Sequence, residues 1–229
     1  MARDFTTIGL SGVNCYLLRA SEGFVLIDTG LATKREALES ALTRAGCTPG
    51  KLRLIVLTHG DVDHAGNAAH LRAKYGAPIA MHTDDEGMVE RGDTTWNRKT
   101  KPDLVTVTGR FIMVAGTLME RFRRSGSFEV FEPDLLVEDG FDLAEYGLGA
   151  RVLHLPGHSK GSIGVLTAGG DLFCGDLLYN WRRPGTPIVD DLADHTASLQ
   201  KLREVHVAVV YPGHGKPFSL AEFGNYSVR

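Results

Sequence analysis

Cysteine is scarce in this chain of 229 residues, which holds only Cys15, Cys47 and Cys174. The three lie far apart, are odd in number and form no CxxC pair. This spacing argues against a disulfide framework and against a zinc site built from thiolates. We interpret Cys174 as a buried strand residue rather than a nucleophile, because a free cysteine is usually buried.

Long apolar runs and an excess of positive charge are also missing. No stretch approaches the roughly 20 apolar residues of a transmembrane helix, and the opening MARDFTTIGL lacks the apolar core of a signal peptide. We therefore expect a cytoplasmic protein with no stable membrane insertion. The net charge of -3 argues against a nucleic-acid partner that is bound through overall charge.

The chain nevertheless has enough apolar residues for a sizeable core, at 43% of the sequence. Its length fits one large domain or two small ones, and no low-complexity linker divides it. We predict a single domain over residues 1–229. Residues 84 to about 133 form an insertion that ends in a basic cluster, Arg121, Arg123 and Arg124. Its role is open between a lid, an interface with a second copy of the chain, and a membrane-surface element.

Short apolar runs that end at glycine or a charged residue predict strands, and helical segments separate them. The predicted strands lie in CYLLRA, GFVLIDTG, LRLIVLTH, PIAMH, DLLVED, ARVLHLP, SIGVLTAGGDLFCGD and VHVAVVYPG. In the seventh of these, TAGGD predicts a hairpin turn. The predicted helices lie in ATKREALESALTRAG, HAGNAAHLRAKYG and DLADHTASLQKLREV, the last capped by Asp190 or Asp191. This order predicts α/β layering.

Four segments place histidine or aspartate beside glycine where an apolar strand ends: THGDVDH, LPGHSKG, LFCGD and VYPGHGKP. Each residue alone is more typical of a turn, a helix cap or a surface. Together, imidazole and carboxylate groups suit zinc, iron or manganese. Seven ligands suit two ions if one carboxylate bridges them, with positions left open for water. The seven candidates are His59, Asp61, Asp63, His64, His158, Asp176 and His214.

The order of these motifs resembles the metallo-β-lactamase fold superfamily, whose signature is HxHxDH, then a lone His, a lone Asp and a final His. HGDVDH, PGHS, CGD and PGHG match that order, and VLIDTG resembles the family's first motif at Asp28. The resemblance covers nearly the whole chain and is greatest to the glyoxalase II-like hydrolase branch. It implies an α/β fold of four layers, an αββα sandwich with a two-metal site at one edge of the sheets.

The resemblance also implies how the ligands divide. One ion would take His59, Asp61 and His158, the other would take Asp63, His64 and His214, and Asp176 would bridge, with Asp28 orienting the ligand loop. Asp61 departs from the family pattern, in which most members have histidine. A carboxylate there favours iron or manganese relative to an all-imidazole site, although zinc also accepts it. We expect two divalent ions, zinc first, with iron or manganese as alternatives.

The predicted function is binuclear hydrolysis, in which metal-bound hydroxide attacks an ester, thioester, lactone or related bond of a small molecule. Asp63 is the candidate to orient the water or accept its proton, besides binding a metal ion. Lys160, Tyr179, Asn180 and Trp181 follow predicted ligands and are candidates to line the pocket. The main alternative, supported by Asp61, is a non-heme iron redox enzyme: a dioxygenase or an oxygen-reducing di-iron protein. A non-catalytic binding protein and a nuclease are further alternatives.

Overall fold

The computed structural model describes residues 4–106, 109–110 and 129–224. Its strands are Phe5–Leu10 (β1), Val13–Arg19 (β2), Phe24–Ile27 (β3), Leu52–Val56 (β4), Ile79–Met81 (β5), Leu104–Val105 (β6), Leu135–Leu136 (β7), Ala150–His154 (β8), Ile163–Thr167 (β9), Asp171–Phe173 (β10), Tyr179–Asn180 (β11), Pro184–Gly185 (β12), Ile188–Val189 (β13) and Val209–Tyr211 (β14).

Two mixed sheets form the centre of the fold. The first has the order β1-β2-β3-β4-β5-β7, and the second has the order β14-β10-β9-β8. In the first sheet β3, β4, β5 and β7 run parallel, so their carboxyl ends lie at one edge. In the second sheet β9 and β10 pair antiparallel across the TAGGD turn, which confirms the predicted hairpin. Two small pairs, β11 with β12 and β13 with β6, lie outside these sheets.

The helices are Arg35–Arg44 (α1), Val62–Ala65 (α2), Ala68–Tyr75 (α3), Glu86–Arg91 (α4), Leu192–Glu204 (α5) and Leu220–Gly224 (α6). Short 3-10 turns cover Ala32–Lys34, Thr83–Asp85 and Ala144–Tyr146. The cap of α5 is Asp191, whose side chain accepts bonds from the N–H groups of Ala193 and Asp194. One of the two caps predicted for this helix is thereby confirmed.

The helix predicted across HAGNAAHLRAKYG is broken in two at Gly66 and Asn67. Asn67 Nδ2 donates to the carbonyl oxygens of Thr29 and Leu31, at 2.8 and 2.9 Å. A Cβ atom at Gly66 would lie 2.8 Å from Gly30 O, so only glycine lets the two loops approach so closely. The break therefore docks the loop after β3 onto the segment after β4.

The buried side chains fall into three clusters that separate four layers. α1 and α3 pack Leu38 and Leu71 against the outer face of the first sheet. Alternate residues of β3 show the two faces of that sheet: Leu26 lies on the helix side, and Val25 lies between the two sheets. α5 packs Leu202 against the outer face of the second sheet. This arrangement confirms the predicted αββα sandwich of α/β class.

The predicted insertion is covered only in part. Residues 111–128, with the cluster Arg121, Arg123 and Arg124, lie outside the described residues, so the choice between lid, interface and membrane-surface element stays a prediction. The described part of the insertion contains α4 and β6, and β6 pairs with β13 in a sheet of two strands. Helices in the described part of the chain are all too short or too polar to cross a lipid bilayer.

Candidate metal centre

All seven predicted ligands lie at one edge of the two sheets, five of them in loops and two, Asp63 and His64, in the short helix α2. His59, Asp61, Asp63 and His64 follow β4, and the other three follow β8, β10 and β14: His158, Asp176 and His214. Close backbone approach makes this convergence possible, since a Cβ atom at Gly213 would lie 2.5 Å from Asp176 Oδ1. The structure therefore brings together residues that are up to 155 positions apart in the chain.

A first group of donor atoms comes from His59, His158 and Asp176, whose ligand atoms lie within 4.8 Å of one another. The Nε2 atoms of His59 and His158 lie 3.9 and 3.8 Å from Asp176 Oδ2. Asp61 lies beside this group, with Oδ2 3.3 Å from His59 Nε2 and 3.1 Å from His158 Nε2. Asp61 occupies the cap position of α2, but its side chain makes no capping bond and points to the two imidazoles.

A second group comes from Asp63, His64 and His214, again within 4.8 Å of one another. Asp63 Oδ2 lies 3.4 Å from His214 Nε2 and 4.0 Å from His64 Nε2. Asp176 lies between the two groups, because its Oδ1 is 3.3 Å from His64 Nε2 and its Oδ2 is 3.4 Å from His214 Nε2. This is the position expected of a bridging carboxylate.

Several of these donor atoms are buried without a hydrogen-bond partner in the described ranges: His59 Nε2, His64 Nε2, Asp61 Oδ1 and Asp176 Oδ1. A buried polar atom left unsatisfied costs about 1–3 kcal/mol. A cluster with several such atoms therefore needs a ligand that compensates for the missing hydrogen bonds. Nitrogen and carboxylate oxygen atoms that face one another at these distances are suitable donors for divalent cations. The residues present therefore fit the ions that the sequence predicts.

Asp28 contacts the second group through His64 and orients that histidine. Its Oδ2 lies 2.8 Å from His64 Nδ1, and its Oδ1 accepts the backbone N–H of Thr58 at 2.8 Å. Because a carboxylate only accepts, Nδ1 of His64 carries a proton, so Nε2 is the atom that faces Asp176 and that could bind an ion once its own proton is lost. Asp28 holds a φ of 59°, which is uncommon for a non-glycine residue and is often found at functional sites.

The charges of the cluster reinforce one another. Burial by itself would raise the pKa of Asp176, but His214 and His64 hold that pKa well below its usual range. Burial would likewise lower the pKa of His214, but Asp176 and Asp63 raise it to about 10. The carboxylates are therefore ionised and these imidazoles hold protons, which an incoming cation has to displace.

Arg98 was not among the predicted site residues, yet its guanidinium contacts one of them. Its Nη2 lies 3.0 Å from Asp61 Oδ2. Burial raises the pKa of Asp61, but Arg98, His158 and His59 outweigh that effect and hold the pKa well below its usual range. No motif marks Arg98 in WNRKTKPD, and the contact joins positions 37 residues apart.

Asp85 is a second residue that the sequence motifs do not indicate. Its carboxylate accepts bonds from Ser159 Oγ at 2.6 Å, Gly161 N at 2.8 Å and Gly60 N at 3.3 Å. It thereby joins the loop of His59 to the loop of His158. The signal that would have found it is its place just after β5, where a polar side chain follows a buried strand.

The four candidate pocket residues differ in their surroundings. Tyr179 is buried, donates its hydroxyl to Asp176 Oδ2, and stacks on His214 with ring centroids 5.0 Å apart. Trp181 is 42% exposed, and its ring centroid lies 5.9 Å from that of His214. Asn180 donates its backbone N–H to His214 O, and Lys160 bonds to Asn97 on the surface. Cys174 is buried, as predicted.

A third set of potential ligands, His82, Asp84 and His154, lies apart from these groups. The rings of His82 and His154 stack at 4.0 Å with an angle of 9° between their planes. Their nitrogen lone pairs lie in these two nearly parallel planes, so they do not converge on one ion. His82 Nδ1 also accepts the backbone N–H of Asp84 at 3.2 Å.

Comparison with known proteins assigns the chain to a family. The model of the metallo-beta-lactamase superfamily matches residues 8–214. A Beta-lactamase-like protein 2 homolog of Caenorhabditis elegans is 26% identical over 207 residues, which cover 90% of this chain and 57% of that protein. This chain therefore spans little more than half the length of that relative.

The human Acyl-coenzyme A thioesterase MBLAC2 is 28% identical over 231 residues, with 90% of this chain and 74% of the relative covered. Among solved structures, TTHA1623 in a di-iron-bound form is 27% identical with a TM-score of 0.66, and 98% of each chain is covered. The fold, the ligand cluster and the family match agree. The chain belongs to the metallo-beta-lactamase superfamily.

Proposed function

We propose that this protein is a hydrolase that uses a pair of divalent ions to cleave an ester-type bond of a small molecule, and that acyl thioesters are its first candidate substrates. The observation that carries the proposal is the position of Asp176. Its Oδ2 atom faces His59 and His158 of the first group. Its two oxygens also face the second group, Oδ1 at His64 and Oδ2 at His214. A carboxylate so placed suits two neighbouring ions better than one.

The ligand sets would be His59, Asp61 and His158 for one ion and Asp63, His64 and His214 for the other, with Asp176 shared. Bound divalent ions lower the pKa of water and polarise a substrate carbonyl. Asp63 is the residue placed to take the proton of the attacking water. Its side chain is 30% exposed, and His64 and His214 lower its pKa although burial raises it, so it is ionised.

The thioester class is supported by the relatives named as acyl-coenzyme A thioesterases and by the apolar surface beside the ligands. The exposed ring of Trp181 lies next to His214 and Tyr179 and offers a contact for an acyl chain. In this reaction the oxygen of water bonds to the carbonyl carbon and the carbon–sulfur bond breaks. The products are a carboxylic acid and a free thiol, and no oxidant or second substrate is needed.

The test is hydrolysis of acyl-coenzyme A substrates by protein stripped with a chelator and then titrated with zinc, manganese or ferrous iron. We expect thiol release that depends on metal, and a loss of about 100-fold or more in kcat for D63N. The matched control is H70Q, because His70 pairs with Glu39 on the outer helices, away from the ligands. Metal-independent thiol release, or full activity of D63N, would overturn the proposal.

A second function, redox chemistry at iron, is favoured by one observation. Asp61 adds a carboxylate to the imidazoles of the first group, and carboxylate favours iron or manganese. The similar structure TTHA1623 is described in a di-iron-bound form. Oxygen consumption by the ferrous protein in the presence of a thiol or persulfide, with no thioester cleavage under any metal, would favour this alternative.

A further inference from the structure

Arg98 and the first group of donors contact the same oxygen atom of Asp61. Oδ2 of Asp61 lies 3.0 Å from Arg98 Nη2, 3.1 Å from His158 Nε2 and 3.3 Å from His59 Nε2. The other oxygen, Oδ1, is buried and has no hydrogen-bond partner in the part of the chain that the structure describes. The oxygen directed at the two imidazoles is therefore already paired with an internal cation.

Backbone hydrogen bonds next to Arg98 connect it to the loop that carries His158. The N–H of the next residue, Lys99, donates to both oxygens of Asp190, at 3.1 and 3.2 Å. Asp190 is buried, and its own N–H donates to Gly157 O at 2.7 Å, one residue before His158. The segment of Arg98 is thus bonded to the ligand loop of His158. Moving the guanidinium away from Asp61 would therefore cost free energy.

We propose that Arg98 competes with the metal ion of the first group for Asp61, so that the two ions bind with unequal affinity. Within the described residues, the second group, Asp63, His64 and His214, together with Asp176, forms no ion pair with an arginine or a lysine. It fills first and holds its ion more tightly. The ion near His59 and His158 is the weaker and more exchangeable one. The inference rests on the metal centre of the proposed function.

Two physical effects act in this direction. A positive guanidinium beside the ligand oxygen repels a divalent cation, and partial burial reduces the screening of that repulsion. The ion must also weaken an existing charge-assisted bond in order to use Oδ2. Arg98 is suited to this role because it stays charged at every physiological pH. Asp61 in place of histidine is what makes the contact possible, since an imidazole offers no carboxylate for an arginine to pair with.

A role of Arg98 as the binding group for an anionic substrate is less consistent with its position. Its side chain is only 20% exposed, and its Nε is buried with no acceptor in the described ranges. The exposed approach to the cluster lies at Asp63 and Trp181 instead. A substrate anion would have to displace Asp61 to reach the bonded Nη2 atom.

The test is a zinc titration of chelator-stripped protein in competition with a chromogenic chelator, together with the melting temperature at each zinc concentration. We expect two classes of affinity in the wild-type chain. In R98M the weaker class tightens by about tenfold or more, since each tenfold corresponds to about 1.4 kcal/mol of the removed repulsion. In R98K, which keeps the positive charge, we expect the difference between the two zinc affinities to remain.

The controls separate competition from general damage to the fold. K99Q removes a cation from the same segment, one that pairs with Asp103 and Asp191 and contacts no candidate ligand, and we expect wild-type affinities. In D61N the substitution R98M should change the weaker affinity less than threefold. Circular dichroism of each stripped variant verifies that it is folded.

Two outcomes would overturn this inference alone: affinities in R98M equal to those of the wild-type chain, or a weaker first group in R98M. The latter would make Arg98 a support for Asp61 rather than its competitor. Absence of zinc binding in the wild-type chain and all variants would overturn the proposed function as well. Because the readout is binding and not turnover, the two failures are distinguishable.

Discussion

Asp28 Oδ2 and His64 Nδ1 lie 2.8 Å apart, and both side chains are buried. This contact settles which nitrogen of His64 faces the other donors, because Nδ1 donates its proton in a hydrogen bond to the carboxylate. Asp28 also holds Thr58, whose Oγ1 lies 3.0 Å from His59 Nδ1. One carboxylate thus supports one histidine from each of the two donor groups.

We expect D28N to weaken zinc binding by about 10–100-fold, the usual effect of losing a residue that orients a metal ligand. The amide keeps the shape of the side chain but no longer fixes the tautomer of His64. Competition with a chromogenic chelator measures the loss. Zinc affinity in D28N within twofold of the wild-type value would contradict the orienting role of Asp28.

Asp85 predicts an effect on stability. D85A removes the acceptor of three bonds that join the loops of His59 and His158, and we expect a loss of about 2–4 kcal/mol in the free energy of unfolding. Urea denaturation of the chelator-stripped protein measures it. The control is D93A, since the side chain of Asp93 accepts its hydrogen bonds, within the described residues, from the exposed Thr95. A loss below about 0.5 kcal/mol in D85A would show that these loops do not depend on Asp85.

His195 predicts a loss of stability in acid. Burial lowers its pKa below the ordinary 6.5, and the nearby charge of His158 lowers it further although the bond to Leu177 O opposes this. Since Nε2 donates to Leu177 O, a second proton would go to Nδ1, which is buried with no acceptor in the described chain. The unfolded chain therefore takes up this proton more readily than the folded chain.

The contribution of His195 to the free energy of unfolding is fully present above about pH 6.5 and is lost as the pH falls through the lower pKa of the folded state. Melting temperatures between pH 7.5 and pH 5 should fall more steeply for the wild-type chain than for H195Q. Equal slopes in the two proteins would remove His195 from the acid sensitivity.

The cysteines predict chemical inertness. All three are buried, and burial raises the pKa of Cys47 to about 11, that of Cys174 to about 12 and that of Cys15 well above its usual value. Thiolates are therefore rare at pH 8, and we expect slow reaction with Ellman's reagent until the chain unfolds. Rapid labelling of the native protein, with loss of thioester hydrolysis, would point to a nucleophilic cysteine instead.

The sequence was most informative where local chemistry decides structure. A buried strand that ends at glycine and then at histidine or aspartate was recognisable in four places, and those loops meet at one edge of the sheets. The hairpin between β9 and β10 and the cap at Asp191 are also local, and both predictions are confirmed.

The features that the sequence did not predict depend on contacts between distant positions. The break after Ala65 depends on bonds from Asn67 to residues 36 and 38 positions earlier. The pairing of Arg98 with Asp61 joins the insertion to the ligand loop across 37 residues, and Asp85 bonds to Ser159 across 74. Neither periodicity nor a motif encodes such contacts. The role of residues 111–128 stays a prediction, because they lie outside the described residues.

Zinc binding and thioester hydrolysis measured together in one equilibrium titration test the central claim most directly. The account predicts that binding saturates at two ions per chain and that thiol release rises as the second ion binds. Saturation at one ion or fewer, or thiol release that is complete before the second ion binds, would contradict it.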